Sequence, residues 1–409
     1  LTKPEKNILE RLEGLEASLF DNGKRIKGNW KEDIDKFLWN DNGSIWGGFV
    51  ATIDVSAKKV LAEIFVMDTY EFARRHQEEN PGLVRIVRKD LDESRSIHQR
   101  VGVKLTALED RIFDNWFTWK KVKLESGKEA YIIGYVPMKD YPGRGFQKQK
   151  EDSVAAYATG VYIVTEVAPN VCKLTRIQSA NLNLTLPESL LTRLAKGLLT
   201  EANRIQEKYR RNNKIVDKEV RDILVEKMKQ NVGLTEEQEK VFEEVAFFFE
   251  KEKEDWKHLE SPYLGVKMEI KKHTKIGKSK RKKSTFVFGK AEGTVDCSAE
   301  EAAAWYFEYC SRERMNFHKE GENPARFEVR KGEEKVNEKV FATVKKMPFP
   351  LNKRQFVNRF IWRRISEKTV AIAVVPVGDE VDYGGGIGYR KLVRTQTKAI
   401  FTATNVVSK

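Results

Sequence analysis

"DRIFDNWFTWKKV" at residues 110–122 and "KRQFVNRFIWRRI" at residues 353–365 are two stretches of one 409-residue chain that agree at alternate positions. Alternate residues of a β-strand point to the same face of its sheet. The shared positions are Arg111, Phe113, Asn115, Phe117 and Trp119 in the first stretch, and Arg354, Phe356, Asn358, Phe360 and Trp362 in the second. The intervening residues differ, so the pattern predicts two strands that have one face in common.

The agreement extends beyond this strand. "TIDVSA" at 52–57 returns as "TVDCSA" at 294–299, and "ENP" at 79–81 returns at 322–324. A period of about 240 residues is far too long for a solenoid, whose repeats are about 20–50 residues long. Each copy is therefore expected to be a domain with its own core. The second copy ends before any counterpart of residues 179–212, which predicts that it is incomplete.

Composition excludes several classes of protein. The net charge of +14 arises from 75 basic and 61 acidic residues, which are mostly interspersed as on an ordinary soluble surface. Three cysteines without C-x-x-C spacing and five scattered histidines predict no disulfide framework and no metal site. We expect a reducing, cytoplasmic location. No apolar run approaches the roughly 20 residues that cross a bilayer, and the sequence does not open with a signal peptide. Because it also opens without methionine, we expect a fragment.

Each copy is expected to begin with a charged helix, at residues 4–19 and 236–259. Ser56 and Ser298 stand at N-cap positions, and Ser298 has capping-box spacing with Glu301. Short alternating runs from residue 83 predict an antiparallel sheet. Pro187 should open a long helix, with Leu190, Leu194 and Leu198 on its apolar stripe. Residues 209–228 should continue as helix, either as a spacer or as a dimer contact.

The shared face admits two interpretations. Its aromatic residues suit either a sealed core or a pocket. Asn115 and Asn358 favour a pocket, because a buried amide without partners costs roughly 1–3 kcal/mol. A few polar groups among aromatics are typical of ligand sites, although water or a turn could also satisfy the amides.

The motifs resemble the START domains, the lipid-transfer relatives of the steroidogenic acute regulatory protein. "FPLNKRQFVNRFIWRRI" at 349–365 is similar to the family's P-x-x-x-R-D-F-V strand and its tryptophan. "YVPMKDYPG" at 135–143, "GIGYRK" at 386–391 and "LTLPESLL" at 184–191 resemble further family segments. The chain departs from the family where Ile112 and Gln355 replace the motif aspartate, and where the first copy lacks the proline before the strand.

The resemblance implies an α+β, helix-grip fold, present twice, in which a bent antiparallel sheet wraps a long C-terminal helix. We therefore expect an N-terminal helical segment at 1–44, a START-like domain at 45–212, a helical linker at 213–263 and an incomplete START-like domain at 264–409. Such domains hold a lipid in an internal cavity without catalytic residues or a cofactor.

The expected cavity lining combines the shared strand face with the last helix. In the first domain it comprises Phe113, Asn115, Phe117, Trp119, Leu190, Leu194 and Leu198. In the second it comprises Phe356, Asn358, Phe360 and Trp362, with the cavity left open by the missing helix. Arg111 and Arg354 should contact either ligand or a carboxylate.

Function remains open between classes. The leading hypothesis is a lipid-binding protein that transfers or senses a sterol, phospholipid or similar molecule. The alternatives are a ligand-gated regulatory or scaffold region of a larger signalling protein, and an enzyme on the same fold, such as a cyclase or hydrolase. The basic run between Lys271 and Lys283 could be a solvated hairpin, a contact with an anionic membrane or a nucleic-acid patch. The lack of aromatics between its basic residues disfavours nucleic acid.

Overall fold

The computed structural model describes residues 1–26, 34–41, 44–89, 95–105, 109–124, 127–141, 154–184, 192–193, 196, 199–250, 256–276, 283–330, 335–378, 380–384 and 392–406. In this part of the chain, α-helices combine with large antiparallel sheets, so the fold class is α+β. We call residues 1–209 the first unit and residues 236–406 the second unit.

The first unit is built on a nine-stranded sheet in the order β1-β2-β3-β9-β8-β7-β6-β5-β4, with every neighbouring pair antiparallel. Its strands are β1 (Lys24–Arg25), β2 (Ile34–Asp41), β3 (Ser44–Ile53), β4 (Arg85–Lys89), β5 (Ser96–Val103), β6 (Arg111–Lys123), β7 (Glu129–Pro137), β8 (Val154–Ala168) and β9 (Val171–Asn181). Its helices include α1 (Lys3–Glu13), α2 (Leu15–Asn22), α3 (Ala57–Phe65), α4 (Tyr70–Glu79) and α5 (Glu201–Lys208).

Helices pack on both faces of this sheet. On one face, Leu9 and Leu12 of α1 and Leu19 of α2 pack against inward residues of the strands. A Cβ added at Gly134 of β7 would lie 2.8 Å from Cδ1 of Leu12, so glycine permits the close approach of α1. The opposite face is covered by α3 and α5, and the apolar core between these helices and the strands leaves space for the site described below.

The second unit has two sheets. One has the order β13-β14-β15-β16-β18, with β17 beside β15, and the other has the order β10-β11-β12. The strands are β10 (Lys257–Leu259), β11 (Lys267–Ile276), β12 (Lys283–Glu292), β13 (Ala325–Val329), β14 (Glu338–Lys345), β15 (Arg354–Ser366), β16 (Thr369–Pro376), β17 (Val393–Arg394) and β18 (Ala399–Thr404). Helix α6 (Asn213–Met228) joins the units, and α7 (Glu236–Glu250), α8 (Ala299–Phe307) and α9 (Arg312–Glu320) follow.

Helix α6 packs against both units. Val216, near its start, packs with Ala168 and Val171 at the β8–β9 turn. Leu224 and Met228, near its end, belong to the core of the second unit. The helix is therefore part of two cores, which exceeds the role of a spacer.

Several sequence expectations can be compared with these elements. The capping box at Ser298 is confirmed, because its Oγ accepts from the Glu301 amide at 3.2 Å and the Glu301 carboxylate accepts from the Ser298 amide at 2.8 Å. The helix expected at 4–19 divides at Gly14. The helix expected at 209–228 begins only after Asn212, whose side chain caps it.

Two stretches expected to be helical contain strands. Residues 34–41, inside the expected helical segment 1–44, form β2, because their backbone pairs with β3 and their apolar side chains pack on both faces of the sheet. The expectation of helix to residue 259 is wrong, since Lys257–Leu259 pairs with β11. Tertiary pairing outweighs the weak local preference of these residues.

The same order of elements occurs in both units. Two short helices are followed by four antiparallel strands, as α3, α4 and β4–β7 in the first unit and as α8, α9 and β13–β16 in the second. Nε2 of His76 lies 3.2 Å from the Leu83 carbonyl oxygen, and Nε2 of His318 lies 3.0 Å from that of Ala325. Each histidine thus ties the second helix to the chain entering the next strand.

Candidate ligand-binding cavity

A cavity of about 260 Å³ lies inside the first unit, between the sheet and the helices α3, α4 and α5. Strand β6 contributes Phe113, Asn115 and Phe117 to its wall. Further apolar wall comes from Ile64, Phe72, Val101 and Ile205. The cavity is therefore a partly open and largely apolar space that several elements line.

The alternation of β6 explains which of its residues reach this space. Phe117 lies in the core beneath α3 and stacks on Tyr135 of β7, with ring centroids 4.8 Å apart. Trp116 points away, and its ring stacks on Tyr141 at 4.5 Å. Trp119 shares the face of Phe117 but lies beyond the cavity wall, where it packs against Phe65 and Tyr131.

Asn115 is the polar residue of β6 in this wall. Only 4% of its surface is exposed, and its Oδ1 has no hydrogen-bond partner among the residues that the structure describes. It lies opposite Gln99 of β5, which also lines the cavity. A buried amide oxygen without a partner costs roughly 1–3 kcal/mol, so a bound molecule with a donor would remove an existing penalty.

A polar network forms another part of the wall. The Tyr135 hydroxyl donates to Oε1 of Gln178 at 2.6 Å, and the Tyr162 hydroxyl donates to Oε2 of Glu201 at 3.2 Å. Arg176 donates to both Gln178 and Glu201. The network joins β7, β8, β9 and α5, and it leaves an array of oriented dipoles beside apolar space.

The protonation states of this network follow from its burial. Burial raises the pKa of Tyr135 and of Tyr162, so both stay neutral hydroxyl donors at physiological pH. Burial lowers the pKa of Arg176, but the Glu201 carboxylate together with Tyr162 and Tyr135 outweighs this effect, and the pKa is raised. The guanidinium and the carboxylate therefore form a charged pair at the cavity wall.

Sequence reasoning missed this network. No motif connects the members of the network, which come from four different elements: Tyr135, Tyr162, Arg176, Gln178 and Glu201.

Some predicted residues and segments lie outside the described residues. They are Leu190, Leu194 and Leu198, the "GIGYRK" segment and residues 277–282 of the basic run. The described ends of that run, β11 and β12, form an antiparallel hairpin.

Arg111 is not part of the cavity wall, and it pairs with no carboxylate among the described residues. It is 1% exposed, and its guanidinium donates to the carbonyl oxygens of Leu182 at 2.8 Å, Glu109 at 2.6 Å and Asp110 at 3.3 Å. It therefore fastens the start of β6 to the chain that follows β9. Local sequence could not indicate this role, because all the acceptors are backbone atoms.

Arg111→Met is expected to lower the free energy of unfolding by about 2–3 kcal/mol, because buried carbonyl groups lose a charged donor. Urea unfolding followed by circular dichroism measures the change. Arg354→Met is the matched control: Arg354 is half-buried, its side chain has no hydrogen bond among the described residues, and a change within about 0.5 kcal/mol is expected. Equal losses in both variants would contradict the assigned role.

The second unit uses its copy of the face differently. Phe360 and Trp362 are 3% and 0% exposed, and they lie in one core cluster with Leu224 and Met228 of α6. Phe356, Asn358 and Arg354 are half-buried, and Oδ1 of Asn358 lacks a partner among the described residues. The expectation of an open cavity is wrong at this end of the face, because α6 packs there.

None of the described helices is long and apolar enough to cross a membrane. Among the same residues, no group of three or more histidine, cysteine, aspartate or glutamate side chains could hold a metal ion.

No protein-family model matches the sequence, and no curated protein matches it significantly. Similar solved structures include the lipid transfer and protein localization domain of human StarD13, with 15% identity and a TM-score of 0.37 over 52% of this chain and 99% of that chain. Human StAR-related lipid transfer protein 5 is similar with 11% identity and a TM-score of 0.38, over 51% of this chain and 96% of that chain. The di-domain ARO/CYC protein StfQ from the steffimycin biosynthetic pathway is similar over 81% of this chain and 74% of that chain, with 8% identity and a TM-score of 0.22. Sequence identities and TM-scores this low assign no ligand or activity to this chain.

Proposed function

We propose that the first unit binds one lipid-like molecule inside its cavity. The observation that carries the proposal is the buried, unpartnered Oδ1 of Asn115 in an otherwise largely apolar wall. Each CH₂ group moved from water into such a wall gains about 0.8 kcal/mol, so the apolar body of the ligand supplies affinity. The polar wall then selects the head of the ligand.

The unpartnered Oδ1 of Asn115 defines which chemical group the head of the ligand should present. An amide oxygen accepts hydrogen bonds, so the ligand should present a hydroxyl or N–H donor to Asn115. The cavity of about 260 Å³ lies just below the usual range of roughly 300–1,000 Å³ for ligand sites. A single-chain or compact hydroxylated lipid therefore fits better than a two-chain phospholipid.

The test is to purify the full chain, extract it with organic solvent and identify the released molecules by mass spectrometry. A lipid recovered in near-stoichiometric amount is expected. Absence of any copurifying lipid, together with no binding of a fluorescent sterol or acylglycerol, would reject the proposal for this cavity.

Asn115→Leu should reduce the affinity for a hydroxylated ligand by about fivefold, which corresponds to one neutral hydrogen bond of about 1 kcal/mol. The affinity for the matching ligand without the hydroxyl should not fall, and the free energy of unfolding should not decrease, because an unpaired buried group is removed. Asn358→Leu, the same change in the second unit, should leave both affinities unchanged. Equal affinities of Asn115→Leu and wild type for both ligands would contradict the role of Asn115.

A regulatory role is the second candidate. Helix α5 contributes Glu201 and Ile205 to the cavity, and only four residues separate it from α6, whose end lies in the core of the second unit. A ligand that repositions α5 would thereby act on the second unit. Hydrogen exchange in α6 that slows on ligand binding, without lipid transfer between vesicles, would favour regulation over transfer.

We propose three further properties of the protein. The two units are proposed to be copies of one START-like domain, on the basis of the repeated strand face and the repeated order of elements. The protein is proposed to be cytoplasmic and to bind without catalysing a reaction. Glu201, a carboxylate that lines the cavity, is engaged by Arg176 and Tyr162, which suits a structural role better than acid–base chemistry.

A further inference from the structure

A second cavity of about 260 Å³ lies in the cleft between the two units. Its wall includes Val220 and Leu224 of α6, Phe307 of α8, and Phe341 of β14. This apolar wall is bordered by basic side chains from both units. The cleft is distinct from the cavity of the first unit, and no residue lines both.

Two arginines of the cleft have unused donors. Arg326 lies in β13, Arg330 directly follows the end of that strand, and both line the cleft together with Glu328, which stands between them in the sequence. Arg326 is 7% exposed, and its Nε and Nη2 have no hydrogen-bond partner among the described residues. The same holds for Nε and Nη1 of Arg330. A guanidinium offers five donors in a planar fork that suits a carboxylate or a phosphate.

The other contacts of Arg326 fix its position without neutralising its charge. Nη1 donates to the carbonyl oxygen of Arg314 at 3.3 Å. The guanidinium carbon lies 3.4 Å from the ring centroid of Tyr309, which orients the planar group by a cation–π contact. These contacts hold the fork in place, and none of them supplies an anion.

The carboxylates around the cleft are engaged elsewhere. Glu308 pairs with Lys339 at 2.7 Å, and Glu338 pairs with Lys335 and Arg359, both at 3.4 Å. Asp217 accepts from the amides of Arg312 and Glu313 at 3.0 and 2.8 Å, and Asp35 pairs with Arg25. Glu328 lies 4.0 Å from Lys339. Glu308 and Glu328 share Lys339, the other acids have cationic or amide partners, and no ion pair joins any of these acids to Arg326 among the described residues.

Burial and the charge of Arg326 act on two neighbouring basic groups. Burial, and then the charge of Arg326, lower the pKa of Arg314 to about 10. Burial and Arg326 also lower the pKa of His318 to about 4, so that this imidazole stays neutral. At both groups the positive charge of Arg326 adds to the larger effect of burial.

We propose that the cleft between the units binds a small amphipathic anion, with its carboxylate or phosphate group on Arg326 and Arg330 and its apolar body against Leu224, Phe307 and Phe341. A buried cation without a counterion destabilises a protein, so its retention here is explained by a ligand that supplies the charge. The proposal concerns a site other than the lipid cavity and does not depend on it.

The test measures binding to the full chain by titration calorimetry with four probes: decanoate, decyl phosphate, inorganic phosphate and decanol. The double variant R326Q/R330Q defines the contribution of the cleft. We expect decanoate and decyl phosphate to show a component of binding that the double variant weakens at least tenfold, and decanol to show none. Because the lipid cavity keeps its residues in this variant, binding there contributes equally to both proteins.

The variant Arg85→Gln is the matched control. Arg85 lies opposite Val101 in the first unit, as Arg326 lies opposite Thr343 in the second. The variant Arg85→Gln should leave the anion-dependent component of binding unchanged. Without ligand, R326Q should not lower the free energy of unfolding, because the lost charge was unpaired; if it fails to fold, Arg330→Gln alone serves the same comparison.

The outcomes separate the sources of the anion. Binding of decyl phosphate but not of inorganic phosphate assigns the site to an amphiphile, and equally tight binding of both assigns it to free phosphate, still on the two arginines. Identical isotherms for wild type and R326Q/R330Q with every probe would overturn the proposal. So would binding of decanol that the double variant weakens as much as that of decanoate.

Discussion

Replacing Asp54 by alanine is expected to lower the free energy of unfolding by about 3–5 kcal/mol, the usual loss when one partner of a buried ion pair is removed. The Asp54 side chain is 0% exposed and that of Arg312 is 10% exposed. The guanidinium of Arg312 donates to Oδ2 at 2.9 Å and to Oδ1 at 2.6 Å, and the Arg211 amide donates to Oδ2 at 2.8 Å. The variant removes the carboxylate that both Nη atoms of Arg312 contact.

The position of this pair makes it a link between units. Asp54 follows β3 of the first unit, and Arg312 opens α9 of the second. Arg312 therefore reaches across the junction, beside the start of α6, where its Nη1 also lies 3.4 Å from Oδ1 of Asn213. Loss of the pair should weaken the cooperation between the units as well as the total stability.

Urea unfolding followed by circular dichroism measures both effects, as a lower midpoint and as a broader or divided transition. The repeat supplies the control: Asp296 occupies the same place in "TVDCSA" but is exposed. Asp296→Ala should change the free energy of unfolding by no more than about 0.5 kcal/mol. A loss below about 1 kcal/mol for Asp54→Ala would show that the pair does not hold the units together.

Asp54 also illustrates how much of the structure can be predicted from the sequence. Comparing the two copies draws attention to the T-x-D motif, and the alternation of β6 correctly separates Phe113, Asn115 and Phe117 from Trp116. Both inferences rest on local periodicity, which a strand or a cap expresses directly. The capping box at Ser298 follows from the spacing of two residues, whereas the α+β class is what the family resemblance implies, and the described elements agree with that class.

What sequence could not supply are contacts between distant segments. Arg111 bonds to backbone carbonyls, which every residue has, so its identity gives no hint of its partners. Arg176 and Glu201 lie on different elements and meet only in the folded sheet. The open donors of Arg326 depend on which neighbouring acids are already engaged, and that balance exists only in three dimensions.

The two tryptophans of the repeated strand face have different surroundings in the two units. Trp362 is 0% exposed and its Nε1 donates to the carbonyl oxygen of Val336 at 3.3 Å. It lies within the core that α6 completes. Trp119 is half-buried at the edge of the first core, against Phe65 and Tyr131. The same residue type at matching positions is thus central in one unit and peripheral in the other.

Trp362→Ala is accordingly expected to lower the free energy of unfolding by about 3–5 kcal/mol, because it leaves a large cavity and an unpaired carbonyl group. Trp119→Ala should lower it by less than half as much and should leave ligand binding to the first unit intact, since Trp119 lies outside the cavity wall. Urea unfolding followed by circular dichroism avoids the loss of the fluorescent reporter. Equal losses in the two variants, or loss of the bound lipid in Trp119→Ala alone, would mean that the two copies use this face in the same way after all.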